Sequence, residues 1–260
     1  MDFGSLALLT LAVGPALAII IFFYAKDKND REPFGVLFLS FLAGCFSVLP
    51  AIILESALPA FIPTQGGSLI SIAIYTFIII AASEEFSKFI FLKYYAYKKP
   101  SFNEPYDGIM YAIMVGMGFA TVENLMYIFG PENDANAWGT AGVRALTAVP
   151  AHATFAAVMG YFVGLAKFNK QKEKSLLFRG FFLATVLHGF YDFFLFQNLT
   201  TALYLGALVS LIIGIRFSLS AIRMHKKHTL IQAENEIPIV LINDVDENNN
   251  GGFNSPTKPS

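Results

Sequence analysis

Charge is scarce in this chain. Of its 260 residues 14% are Asp, Glu, Lys or Arg, against the ~25% of typical globular domains. At the same time 55% are hydrophobic and the mean hydropathy is +0.55, a balance that argues against a soluble protein. The 18 basic and 19 acidic residues almost cancel, at a formal net charge of -1. With no long basic stripe either, the chain offers no electrostatic footprint for nucleic acid. Cysteine is reduced to Cys45, inside an apolar segment. It cannot form an intrachain disulfide, and a lone apolar Cys is packing material rather than redox machinery. No internal repeat is found, so an inverted-repeat transporter has no support. No H-E-x-x-H pair, the helix-borne signature of many zinc proteases, is present either.

What the chain has in quantity is apolar sequence in long runs. Spans near residues 5 to 24, 34 to 57, 68 to 92, 106 to 129, 142 to 166, 177 to 197 and 200 to 222 each supply the ~20 residues that cross a hydrocarbon core as a helix. The expected fold is therefore all-α, a polytopic membrane bundle of about seven transmembrane helices. The first span lacks a positive n-region and is longer than a signal-peptide core, and is read as an uncleaved helix. Lys26, Lys28 and Arg31 follow the first span. Lys93, Lys98 and Lys99 follow the third, Lys167, Lys170, Lys172 and Lys174 the fifth, and Arg223, Lys226 and Lys227 the seventh. The segments 60–68, 131–140 and 198–201 contain no Lys or Arg. Under the positive-inside rule the N-terminus is outside and the C-terminus cytoplasmic. Residues 1–228 form the membrane domain. Residues 229–260, rich in Asn and acidic residues, read as a disordered cytoplasmic tail.

Against this apolar background the polar residues stand out. Glu84, Glu85 and Lys88 lie within the third span, where a charge costs at least ~2.5–3.5 kcal/mol and usually lines a cavity. Glu84 and Lys88 are spaced i, i+4 with the acid first, the favourable order on one helix face, and Glu85 is within i+3 reach of the same Lys. One carboxylate can be neutralised locally while the other stays available. The fourth span carries Glu123 and Asn124, the fifth His152 after Pro150, and the sixth His188 and Asp192, four apart and so on one face. Counting residues from the predicted membrane faces at ~1.5 Å per residue places Glu84, His152 and His188 within roughly one to three turns of a common depth, with Glu123 nearer the outside. From the residues alone three readings stand. The polar set can activate water for hydrolysis, it can relay protons or ions in a coupled transporter, or it can simply glue helices together in a scaffold.

The motifs Glu84-Glu85-Phe-Ser-Lys88, Phe119-Ala-Thr-Val-Glu123-Asn124, His152, and His188-Gly-Phe-Tyr-Asp192 occur in this order within hydrophobic spans. In them the chain resembles the PrsW family of bacterial intramembrane proteases, itself similar to the CAAX-processing type II (CPBP) proteases. The latter carry a His at the position that Glu123 holds here. The resemblance covers residues 84 to 192 and implies hydrolysis of a peptide bond in a membrane-anchored protein substrate, within the bilayer of the bacterial cell (inner) membrane, with catalytic helices at about 68–197. It also implies a part in stress signalling through an anti-sigma factor. Glu84 or Glu85 would be the base, His152 and His188 would orient water or hold a metal, Asn124 would donate to the oxyanion, and Asp192 would set an imidazole tautomer or be a ligand. For zinc, His152, His188 and either Glu123 or Asp192 would be the three protein ligands, with water in the fourth position. A metal-free site would instead use Glu with one of the histidines.

The topology is tested by cysteine labelling. Gln65 and Gly139 should react from outside the cell, and Lys98 and Lys170 only from the cytoplasm; a cytoplasmic signal at Gly139 would reverse the orientation and the depth argument with it.

Overall fold

The computed structural model describes residues 2–26, 31–62, 68–130, 136–197 and 203–236, and all regular structure among them is helical. The helices are α1 (Phe3–Lys26), α2 (Phe34–Ala57), α3 (Leu69–Ile74), α4 (Ala82–Tyr94), α5 (Pro105–Phe129), α6 (Ala137–Leu146), α7 (Ala148–Phe168), α8 (Glu173–Phe196) and α9 (Tyr204–Glu236). A π-helical segment, Tyr75–Ala81, joins α3 to α4 in one continuous rod. Taking α3 with α4 and α6 with α7, seven rods result. Six are long and apolar enough to cross a membrane. The remaining one, α8, is as long but is made more polar by Arg179, His188 and Asp192.

Local chemistry sets the ends of these helices. Asp2 Oδ1 accepts the Ser5 N–H at the start of α1, and Ser68 Oγ accepts the Ser71 N–H at the start of α3. At α5, Pro105 occupies the first turn and the Asp107 carboxylate accepts the Glu104 N–H at 2.7 Å, one half of a capping box. The span expected to be continuous over 142–166 is broken at Thr147 (φ -124, ψ -62). The cause lies in Pro150, which has no N–H to offer the Leu146 carbonyl and whose ring crowds that same group. The last apolar stretch, Tyr204–Met224, agrees with the expected span, while α9 itself continues to Glu236, past residue 228. The rest of the expected tail, 237–260, lies outside the described residues, as do Lys28 and Gln65.

The core is built on α5 and α7. α5 touches α1, α2, α4, α6, α7 and α9, and Ile109, Met110, Tyr111, Ile113 and Met117 along it are fully buried. Apolar side chains also cover the outside, where Ile21, Ile53, Ile70, Leu146 and Leu205 are each more than half exposed, as suits a lipid-facing surface. Between apolar helices in lipid, close backbone approach replaces the hydrophobic effect as the associating force, and small residues permit it. A Cβ on Gly160 of α7 would run into the Gly108 carbonyl oxygen of α5, and a Cβ on Gly44 of α2 into the Val115 carbonyl oxygen. Where the Lys-rich connectors gather, Glu173 at the head of α8 accepts from Lys93 Nζ at 2.8 Å and from the Tyr97 hydroxyl at 2.9 Å. These two donors hold its carboxyl down to about 2 and tie α8 to the end of α4.

Gly160→Leu should therefore part α5 from α7 and cost about 1–3 kcal/mol or more, read as a lowered midpoint of thermal unfolding in detergent. Gly142→Leu, where an added Cβ meets nothing within 4 Å, should leave the midpoint unchanged. Equal midpoints for the two variants would contradict the close approach.

Candidate active site

The third rod brings Glu84, Glu85 and Lys88 into the bundle on α4, just past the π-helical segment, in which the Ala82 N–H reaches back to the Phe77 carbonyl. The wide turn seats the Phe77 ring where a Cβ on Gly189 would stand. The same ring meets Phe190 edge to face at 5.0 Å. The segment is thereby wedged against α8 beside His188. Such π turns recur at functional sites because they re-aim the residues that follow.

Lys88 lies at the centre of the polar group. Its Nζ donates to Glu84 Oε2 at 3.0 Å and to Glu85 Oε1 at 2.8 Å, faces His152 Nδ1 at 3.2 Å, and stands 3.9 Å above the Phe119 ring. His188 Nδ1 is 3.0 Å from Glu85 Oε1 and its Nε2 is 3.3 Å from Asp192 Oδ2. His152 Nε2 is 2.7 Å from Glu123 Oε2. The two imidazoles meet edge to face at 5.3 Å, and Phe155 stacks on His188 at 4.7 Å. Glu84, Glu85, Lys88, His152, His188 and Asp192 are each no more than 7% exposed.

Two tiers result. One donor atom from each of Glu84, Glu85, His152 and His188 lies within 4.8 Å of every other. Glu123 and Asp192, considered as metal ligands on sequence grounds, sit instead on the far, Nε2 sides of the two imidazoles. The reason for the difference is angular: Lys88 faces His152 Nδ1 and Glu85 faces His188 Nδ1, so the other two carboxylates meet the rings from behind. Asn124 also differs from its expected use, because its Nδ2 donates to the Ala12 carbonyl of α1 at 3.2 Å and its Oδ1 accepts from Arg144 Nε at 2.7 Å. The amide is consumed in holding helices. Arg144, absent from the sequence-based site, brings Nη2 to 2.8 Å from Glu123 Oε2. Glu55, half-buried near the end of α2, adds a carboxylate within electrostatic reach of Glu84 and Glu123. Both were visible as charges in or beside apolar spans; what was missing was the partner each faces.

The donor set fits a divalent metal. Two imidazoles and two carboxylates converge, and two imidazoles with one of those carboxylates make the His2Glu set of some catalytic zinc sites. Glu85 Oε2 is buried with no hydrogen-bond partner among the described residues, so an acceptor is left for a ligand. Charge points the same way. The carboxylates of Glu84, Glu85, Glu123 and Asp192 face the cations Lys88 and Arg144 and a His188 ring with a carboxylate oxygen at each nitrogen.

Fold and site together define a multi-pass membrane protein with a buried acid and imidazole centre suited to hydrolysis. Comparison with known proteins narrows the class. The family model described as "PrsW family intramembrane metalloprotease" matches residues 32–218. The chain is 36% identical over 200 residues to Protease PrsW of Geobacillus kaustophilus, covering 77% of this chain and 84% of that one. Its identity to the protein of the same name from Clostridioides difficile is 34% over 227 residues, or 86% and 93% of the two chains. For the one from Bacillus subtilis it is 33% over 190 residues, or 73% and 83%. No solved structure matches. The chain belongs to the PrsW family of intramembrane metalloproteases, and it is an intramembrane protease.

Proposed function

We propose that this chain cleaves a membrane-anchored protein with Glu84, Glu85, His152 and His188 as its working residues. The observation that carries the assignment is the convergence of these four buried side chains from α4, α7 and α8 in a member of a metalloprotease family. In this reading His152, His188 and Glu84 would hold a zinc ion, which would supply a water acidified to a pKa near 7. Glu85 is the general base, because its Oε2 is the buried acceptor without a donor of its own. Asn124, expected to donate to the oxyanion, is bonded instead to Ala12 and Arg144. Glu123 and Asp192 keep the imidazoles in place from their Nε2 sides, as outer carboxylates do around histidine ligands.

The Lys and Arg alternation supports insertion in a bacterial inner membrane with the N-terminus outside and the C-terminus in the cytoplasm. The substrate we favour is an anti-sigma factor anchored by a membrane helix, as the family resemblance suggests, which would place the reaction in a signalling cascade. Kinship with the CAAX-processing proteases is proposed on the paired glutamates and the two histidines. The coupled-transporter reading used the same residues but has no counterpart in the protease family to which the chain belongs.

Glu84→Gln and Glu85→Gln should each reduce proteolysis by about 10²–10⁴-fold while inserting normally. Cleavage is followed by comparing membrane-protein fragments from cells carrying the parent or the variant. Turnover at the parent rate in both variants would refute the assignment. Purified protein should contain close to one zinc per chain and lose activity to a strong chelator. His188→Ala should lose metal and activity together, whereas Glu85→Gln should lose activity and keep the metal. Full turnover in demonstrably metal-free protein would decide for a glutamate mechanism.

A further inference from the structure

Arg144 stands outside the inner tier of the site, and its polar contacts fall on the outer carboxylate Glu123 and its neighbour Asn124. It stands on α6, the short helix ahead of the break at Thr147. Its Nη2 lies 2.8 Å from Glu123 Oε2, its Nε donates to Asn124 Oδ1 at 2.7 Å, and its guanidinium carbon sits 4.0 Å from the centre of the Tyr127 ring. All three partners belong to one face and one turn of α5. The Glu123 oxygen it pairs with is the same atom that meets His152 Nε2 at 2.7 Å. A chain of contacts therefore runs from α6 through one carboxylate oxygen to one imidazole.

We propose that Arg144 is a positioning residue that fixes His152 through Glu123. The two histidines differ in what their outer carboxylate needs. Asp192 is one turn from His188 on the same helix, so their spacing follows from helical geometry alone. Glu123 and His152 lie on different helices, α5 and α7, and a Glu side chain has several rotamers from which to reach or miss the ring. Arg144 removes that freedom. Its planar guanidinium donates from Nε to Asn124 and forms an ion pair through Nη2 with Glu123, while Tyr127 underlies it, so the cation is held in one orientation beside that carboxylate. Asn124 is itself anchored to the Ala12 carbonyl of α1, so the guanidinium is referenced to two helices. With Glu123 Oε2 so placed, His152 Nε2–H donates outward and Nδ1 presents its lone pair toward Lys88, Glu84 and Glu85.

This inference rests on the site proposed above, and its test separates the two. Arg144→Gln, Glu123→Gln, the double variant and Glu85→Gln are compared in detergent for kcat, KM, zinc dissociation rate and thermal midpoint. Removing a carboxylate behind a histidine ligand typically costs about 10–100-fold in metal affinity or activity. Arg144→Gln should accordingly lower kcat by about that factor with KM within about twofold of the parent, and speed zinc release. The double variant should be no worse than Glu123→Gln alone, because the two residues act along one path. An unchanged kcat in Arg144→Gln, or a double-variant loss equal to the product of the single losses, would overturn the proposal even where Glu85→Gln is inactive. An active Glu85→Gln would instead bring down the underlying site. Arg144→Lys, which keeps the charge and loses the Nε–H donated to Asn124, carries the same cycle should Arg144→Gln fail to accumulate, with the same two outcomes deciding it.

Discussion

The Lys88 ammonium, fully withdrawn from water, governs how the rest of the bundle is arranged. An uncompensated charge in such a place would cost several kcal/mol after all relaxation, so its three N–H donors must each find an acceptor. They find Glu84, Glu85 and His152. Two of these lie within one turn on the same helix, but the third must come from α7, and Glu85 in turn requires His188 from α8. Satisfying one buried cation thus forces three helices to a single level of the bundle. Nothing in the apolar surfaces would dictate that meeting, since lipid serves those surfaces equally well.

Such a meeting is possible only if the backbones come close. Polar side chains of this length span a few ångströms, and bulky residues along the seams would hold the helices beyond their reach. Gly108 against Gly160, and Gly44 against the backbone at Val115, remove that spacing. Along α5 and α7 the fully buried stretches are correspondingly dense in Gly, Ala and Met. Small residues and buried charges, which read in the sequence as unrelated features, are two parts of one requirement.

That link also explains how far the sequence could be read. Apolar runs located the rods to within a few residues, save at the far end of α9, because the membrane imposes length and polarity on each rod separately. The i, i+4 and i, i+3 pairs of Lys88 and the i, i+4 pair of His188 and Asp192 were legible for the same reason, being properties of a single helix. Depth brought Glu84, His152 and His188 to one level, and in the structure they lie together. Rotation about each helix axis is what depth leaves out. Glu123 and Asp192 were accordingly placed among the possible metal ligands, whereas they meet the rings from behind, and Asn124 was turned inward when it faces α1. Arg144 found no place among those site residues, since its partners come from another helix. The break at Thr147 was a local matter, and Pro150 carried its signal.

The π-helical segment remains as the feature that no periodic pattern announces. In a regular helix each residue turns by about 100°, so the lipid-facing phase of Leu69 and Ile70 would dictate where Glu84 and Glu85 point some fifteen residues later. A wide turn decouples the two. With Ala82 bonded back to Phe77, α3 keeps its exposed Leu69 and Ile70 outward, while α4 is free to direct both carboxylates and Lys88 inward. The cost is a looser stretch of backbone, and the Phe77 ring seated over Gly189 supports it there. The same contact sets the distance to α8 one residue from His188, so the irregularity that aims the glutamates also fixes the helix that brings their imidazole partner.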